Sequence, residues 1–208
     1  FPKGVYLIDQ LEPTYKQRGL WLQHMEVEEI VMRYLWKATA LALGLAATTS
    51  GAQEFGTDAD AEYAAQLWEV MEDLNLAGEN IIRSFPYDGI TPHGMMLETF
   101  YATGIVNGHV GDLIVKRNFG PEGVTGDDVL ADPDKHLAAV TVMFRREDGY
   151  DADNENWFWV KYLPDGSLDK NPAGMQLAGR VAKGADQGCI ACHSGAGDYV
   201  FTSDHLSR

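Results

Sequence analysis

The sequence predicts an α+β fold: a mainly antiparallel β-sheet of four or five strands with flanking helices and a C-terminal segment of separate character. Three observations carry that reading. A helical apolar period runs through residues 63–74, four apolar runs rich in β-branched and aromatic residues follow Pro86, and a Cys-x-x-Cys-His run lies near the C-terminus.

Taken in order, residues 1–31 are expected to lie upstream of the working protein, with a better start at Met32. From there Arg33 and Lys37 precede an apolar stretch, 38–47, and Ser50 and Ala52 supply small residues for cleavage. The pattern is that of a secretory signal peptide over 32–52, cut after Ala52. Its apolar core of about ten residues is too short to span a bilayer comfortably. A single domain is expected over 53–208. It opens with an amphipathic helix capped by Thr57 or Asp58, with Asp58, Asp60 and Glu62 favouring its positive end. Tyr63, Leu67, Val70, Met71 and Leu74 form its buried stripe, and Gly78 is the expected stop. Strands are expected over 94–101, 112–119, 136–146 and 156–163. Gly104, Asn107, Gly108 and Gly111 separate the first pair, while Asp148-Gly149 and Pro164-Asp165-Gly166 are turns that use proline's fixed φ and glycine's positive φ. Connections this short favour antiparallel neighbours.

The chain has 208 residues and a formal net charge of −15. Residues 53–208 hold all of that excess, with 11 basic against 26 acidic side chains. Such acidity argues against nucleic acid or an anionic membrane surface, and a redox partner protein is expected to present a basic face.

Cys189-Ile190-Ala191-Cys192-His193 has the spacing of a c-type haem attachment site. Two thiols three positions apart can each form a thioether with one porphyrin vinyl group, and the following histidine becomes the proximal iron ligand. A redox pair is disfavoured because no βαβ pattern precedes Cys189. Zinc is disfavoured because no other cysteine exists to complete the site. Both cysteines are thereby used, and no structural disulfide is expected. Covalent haem attachment in bacteria takes place outside the cytoplasmic membrane, so the export signal and the haem run name one compartment, the periplasm.

His93, His109, His136 and His205, with Met95, Met96, Met143 and Met175, are candidate sixth ligands. Their default roles are surface histidines and core filling. Met95 and Met96 should point to opposite faces of one strand. Trp157, Phe158, Trp159, Tyr162, Phe100, Tyr101, Phe119, Phe144, Tyr199 and Phe201 could wall a flat apolar group or simply fill a sheet core. The acidic run 151–155 lacks the glycine and final acid of a calcium loop, and reads as a solvated turn.

The stretches Trp157-Phe158-Trp159-Val160-Lys161-Tyr162-Leu163-Pro164-Asp165-Gly166, Gly188-Cys189-Ile190-Ala191-Cys192-His193 and Asp198-Tyr199-Val200-Phe201-Thr202 together resemble the cytochrome P-four-sixty family, whose relatives include the cytochromes c-prime-beta. The likeness covers roughly residues 90–204. It implies a mostly antiparallel β fold with helices, commonly homodimeric, and one haem c with an open distal side. Cys189 and Cys192 would hold the haem and His193 would bind its iron. The family's hydroxylamine-oxidising members carry a lysine bonded to the porphyrin edge and an acid over the iron. No lysine stands at 98–105, and Lys116 and Lys161 read as outward-facing strand residues. Glu98, on an apolar strand, is the acid most expected to face the distal pocket. The function expected is that of an exported monohaem cytochrome, transferring electrons or binding a small ligand such as nitric oxide. The alternative is an enzyme oxidising hydroxylamine to nitric oxide or nitrous oxide.

Overall fold

The computed structural model describes residues 55–201. The readings of a leader, a signal peptide and cleavage after Ala52, and the candidate ligand His205, lie outside the described residues.

Helix α1 (Asp58–Asp73) starts where the sequence says it should. Thr57 closes a capping box with Asp60: the Asp60 N–H donates to the Thr57 hydroxyl at 3.2 Å, and the Thr57 N–H donates to the Asp60 carboxylate at 3.2 Å. The helix ends five residues before Gly78. Asn75 takes the left-handed conformation at φ 57°, and the N–H groups of Asn75 and Leu76 donate to the carbonyls of Glu72 and Met71 at 3.0 and 2.7 Å. That is a Schellman ending with asparagine in the usual glycine position. Leu76 and Met71, both buried, close it with an apolar contact.

Six strands form one antiparallel sheet in sequence order: β1 (Tyr87–Asp88), β2 (Met96–Val106), β3 (His109–Phe119), β4 (Leu137–Arg145), β5 (Trp157–Tyr162) and β6 (Ala178–Gly179). The four long strands are those read from the sequence. The sixfold count exceeds the expected four or five because β1 and β6 are two-residue edge strands, too short to show a period. Two short helices, α2 (Gly126–Ala131) and α3 (Pro133–His136), fill the β3–β4 connection, and α4 (Cys189–His193) carries the cysteine–histidine run.

Strand alternation divides the apolar residues between two faces. On one, Val115, Val142, Phe144, Phe158, Val160 and Tyr162 pack with Tyr63, Leu67 and Met71 of α1 in the main core. On the other, Ile114, Met143, Trp157 and Trp159 meet Val181 and Ile190 from the C-terminal segment. The aromatic run of β5 is thereby sorted by parity: Phe158 and Tyr162 belong to the α1 core, Trp157 and Trp159 to the opposite face.

Candidate haem site

The face away from α1 carries two cross-strand rows. One reads Thr99, Lys116, Thr141, Lys161 across β2 to β5, and the next Tyr101, Ile114, Met143, Trp159. Against this floor lies α4. Gly188 opens it at φ +124°, and a Cβ there would collide with the side chain of Ala182. A single helical turn then places Cys189 and Cys192 three positions apart on one side, while Ile190 buries itself among Trp157, Trp159 and Met143. Both thiols are free, Cys189 half-buried and Cys192 exposed. Burial pushes the Cys189 thiol up to about 11, so it stays protonated at neutral pH.

His193 is buried, and its Nδ1 donates to the Tyr199 carbonyl at 2.7 Å. A carbonyl only accepts, so this bond sets the tautomer and leaves Nε2 with its lone pair. The carbonyl itself is held by an unusual turn. Asp198 and Tyr199 are consecutive left-handed residues, φ 55° and 59°, a conformation that costs a non-glycine residue about 1–3 kcal/mol. Arg145 pairs with the Asp198 carboxylate at 2.5 Å and the Trp157 indole N–H donates to the Asp198 carbonyl at 3.0 Å. The Tyr199 hydroxyl donates to Asn154 Oδ1 at 2.9 Å. Three contacts to the sheet and its β4–β5 turn thus hold the acceptor that aims His193.

Three rings surround the imidazole: Trp159 at 4.8 Å, Phe201 at 5.3 Å and His93 at 6.2 Å between centroids. His93 sits on the loop leading into β2. The Gly89 N–H donates to the Met95 carbonyl at 2.7 Å, and the Met95 N–H to the Phe119 carbonyl at 2.8 Å. Gly94 lets that loop lie on the end of β3, where a Cβ would collide with the Phe119 backbone. Asn118 Nδ2 donates to the carbonyls of Lys116 and Ala139 at 3.1 and 3.2 Å, which fixes its amide and turns Oδ1 toward His93 Nδ1 at 3.1 Å. His93 therefore also carries its proton on Nδ1. Burial, with the Lys116 charge second, lowers its pKa to about 4, so the ring is neutral at pH 7.

Two donors on this face lack an answering group among the described residues. Trp159 Nε1 is buried with no hydrogen-bond partner, an omission worth about 1–3 kcal/mol. Lys116 is half-buried, its pKa lowered by burial, and among the described residues no carboxylate pairs with it. Lys116 is not the outward-facing lysine expected from the sequence. Lys161, in the same row, does pair with Asp169 at 2.7 Å.

The other expectations resolve as follows. Glu98 does not face this site: it is fully buried on the α1 side, opposite Arg117 in the β2–β3 register. Arg117 bonds it at 3.2 Å and Arg83 at 2.9 Å, and Arg117 also reaches the carbonyls of Leu76 and Ile82. The reason is parity, since Glu98 shares a face with Phe100, and the C-terminal segment takes the other. His109 Nε2 bonds the Arg145 carbonyl and His136 Nδ1 the Gly120 carbonyl, away from α4. Met95 and Met175 are exposed, Met96 packs with Phe119 and Val129, and Met143 is part of the floor. The acidic run is not a solvated turn throughout: Asp151 and Asn154 are buried, and Asp151 pairs with Lys183.

The residues present fit a haem c. Two free thiols one turn apart, an imidazole with its Nε2 unclaimed, an aromatic floor and donors awaiting an acceptor suit a flat apolar group with anionic edges. Among the described residues no group of three or more His, Cys, Asp or Glu could hold a bare metal ion, which leaves a zinc reading of the two thiols without further ligands. A scan against protein-family models, a search of curated proteins and a search of solved structures each returned no match.

Proposed function

We propose that this chain is an exported monohaem c-type cytochrome of the periplasm, transferring electrons or binding a small ligand such as nitric oxide at the side of the iron opposite His193. One observation carries the reading: His193, directly after Cys192, has its Nδ1 tied to the Tyr199 carbonyl at 2.7 Å and Nε2 left over. Metal-bound histidines are oriented in just this way by an acceptor on the far nitrogen. Cys189 and Cys192 would hold the porphyrin, and Trp159, Met143 and Ile114 would line it. When bound, haem supplies one-electron chemistry and an iron that takes a diatomic ligand. The protein's own part is to aim His193, exclude water with the aromatic floor and offer Lys116 to the propionates. The acidic surface suits a redox partner with a basic face. Tyr101, Ile105 and Val110 are exposed on the face away from α1, where a homodimer contact is proposed.

A second reading is favoured by Lys116. An amine kept uncharged more readily by burial, in the same sheet face as Trp159, is the nucleophile that a porphyrin cross-link needs. With such a link, hydroxylamine oxidation to nitric oxide or nitrous oxide becomes the better description.

The test is expression with a haem-attachment system, followed by mass spectrometry and optical spectra, ferric and dithionite-reduced. One covalently held haem and a red protein with ordinary c-type bands supports the cytochrome. A green protein with a strongly red-shifted reduced Soret band supports the cross-linked enzyme, and replacement of Lys116 by methionine should then turn it red. A chain without covalent haem sinks both.

A further inference from the structure

We infer that His93 is the second axial side chain of this centre, occupying the position opposite His193 until a small ligand displaces it. The inference rests on the haem reading and narrows it. Three observations point to His93 and away from the other candidates among the described residues.

The first is separation. Two imidazoles on opposite sides of one iron have centroids about 6.4 Å apart, from two metal–nitrogen bonds of about 2.0 Å and two ring radii of about 1.2 Å. The His93 and His193 centroids are 6.2 Å apart. Trp159 and Phe201, which also surround His193, offer no ligand atom.

The second is tautomer. Both rings spend Nδ1 on a carbonyl oxygen, Asn118 Oδ1 at 3.1 Å and Tyr199 O at 2.7 Å, and both keep Nε2. A surface histidine has no need of an amide oriented by bonds to Lys116 and Ala139. That arrangement is the far-nitrogen anchor expected of a metal ligand, built a second time.

The third is location. His109 and His136 bond backbone carbonyls elsewhere, and Met95 and Met175 are exposed. Met143 does lie in the floor, on a strand held by both neighbours. His93 is instead carried on a loop, beside the 76%-exposed Ile90, so it can withdraw without breaking a strand ladder. A resident ligand on such a loop makes the site selective for ligands that bind iron strongly enough to replace imidazole.

The ring planes cross at 83°. Crossed axial imidazoles give ferric haem a strongly anisotropic low-spin paramagnetic resonance signal, distinct from that of parallel planes. The experiment is therefore resonance and optical spectroscopy of the ferric haem-loaded protein, wild type and His93→Ala, with mass spectrometry of each. The expected result is a low-spin wild type with the anisotropic signal, a high-spin His93→Ala, and return to low spin when imidazole is added to the variant. His93→Met, which keeps a potential ligand, should stay low-spin with a raised reduction potential. Nitric oxide should bind His93→Ala at least tenfold faster than wild type. A high-spin wild type, or a His93→Ala variant that stays low-spin without imidazole, overturns the inference while leaving the cytochrome intact. Absence of covalent haem in the mass spectrum removes the cytochrome reading itself, and the inference with it.

Discussion

Glu98 and Lys116 are diagonal neighbours on β2 and β3, yet they point to opposite faces of the sheet and meet opposite fates. Glu98 is sealed on the α1 side of the sheet with two arginines, and the Arg117 guanidinium is further satisfied by two backbone carbonyls. Among the described residues Lys116 has no such company, and Trp159, two strands away on the same face, holds an indole N–H without an acceptor. Unanswered polar atoms occur on both sides, Tyr63 Oη, Gln66 Oε1 and Tyr150 Oη on the α1 side and Trp159 Nε1 on the other. What separates the faces is charge: the buried carboxylate is fully paired, whereas no carboxylate among the described residues pairs with Lys116. The α1 face is therefore read as structure and the α4 face as the working surface.

The largest expected effect would break that contrast on the structural side. Glu98→Ala strands Arg117 in the core and should cost about 3–5 kcal/mol in urea unfolding, while haem attachment measured by mass stays complete. Replacing both Glu98 and Arg117 with leucine and methionine should recover most of the loss. If Glu98→Ala instead changed the haem spectrum with stability intact, the assignment of faces would be wrong. Phe158→Ala and Trp159→Ala make the neighbouring comparison on β5. Phe158→Ala should cost about 3–5 kcal/mol and leave the spectrum alone, whereas Trp159→Ala should shift the absorption bands as well.

Smaller is the effect of pH on Lys116. Its folded pKa is lowered by burial, so between that value and the ordinary lysine range the unfolded chain holds a proton that the folded chain has released. Unfolding free energy must then rise with pH through this window and lose that increment as pH falls below it. Urea midpoints of the haem-free protein should climb on the alkaline side, and Lys116→Met should remove that component of the slope. In the haem-loaded protein a propionate beside Lys116 would raise its pKa and a bond to the porphyrin would remove its titration, so the component should be absent there. Smallest is Thr57→Ala, which removes the cap of α1 at about 1 kcal/mol and should touch no spectroscopic property of the opposite face.

The four long strands, the capped start of α1 and the cysteine–histidine run were all legible in the sequence, because each is a local pattern of period, turn chemistry or spacing. The helix end was misplaced because Asn75 does the work expected of Gly78, and only the backbone angle reveals which residue has turned left-handed. Glu98 was assigned to the wrong side for a different reason. Alternation groups it with Phe100 and Arg117, but which face residues 189–201 cover is decided by a return of the chain that no local pattern encodes. The same holds for His93, whose ring neighbour is a hundred positions away and whose anchor, Asn118, lies on another strand.

The main core contains no residue beyond Ala178, whereas α4 and the turn at Asp198–Tyr199 find all their apolar partners on a surface laid down earlier in the chain. This orders assembly. A chain that emerges N-terminus first can finish its sheet and bury α1 before Cys189 arrives, so under the proposed function the floor would be standing when haem is attached. In the proposed cytochrome the cysteine–histidine segment would then be the last piece to dock, open to haem attachment until the Asp198–Tyr199 turn meets Arg145, Trp157 and Asn154.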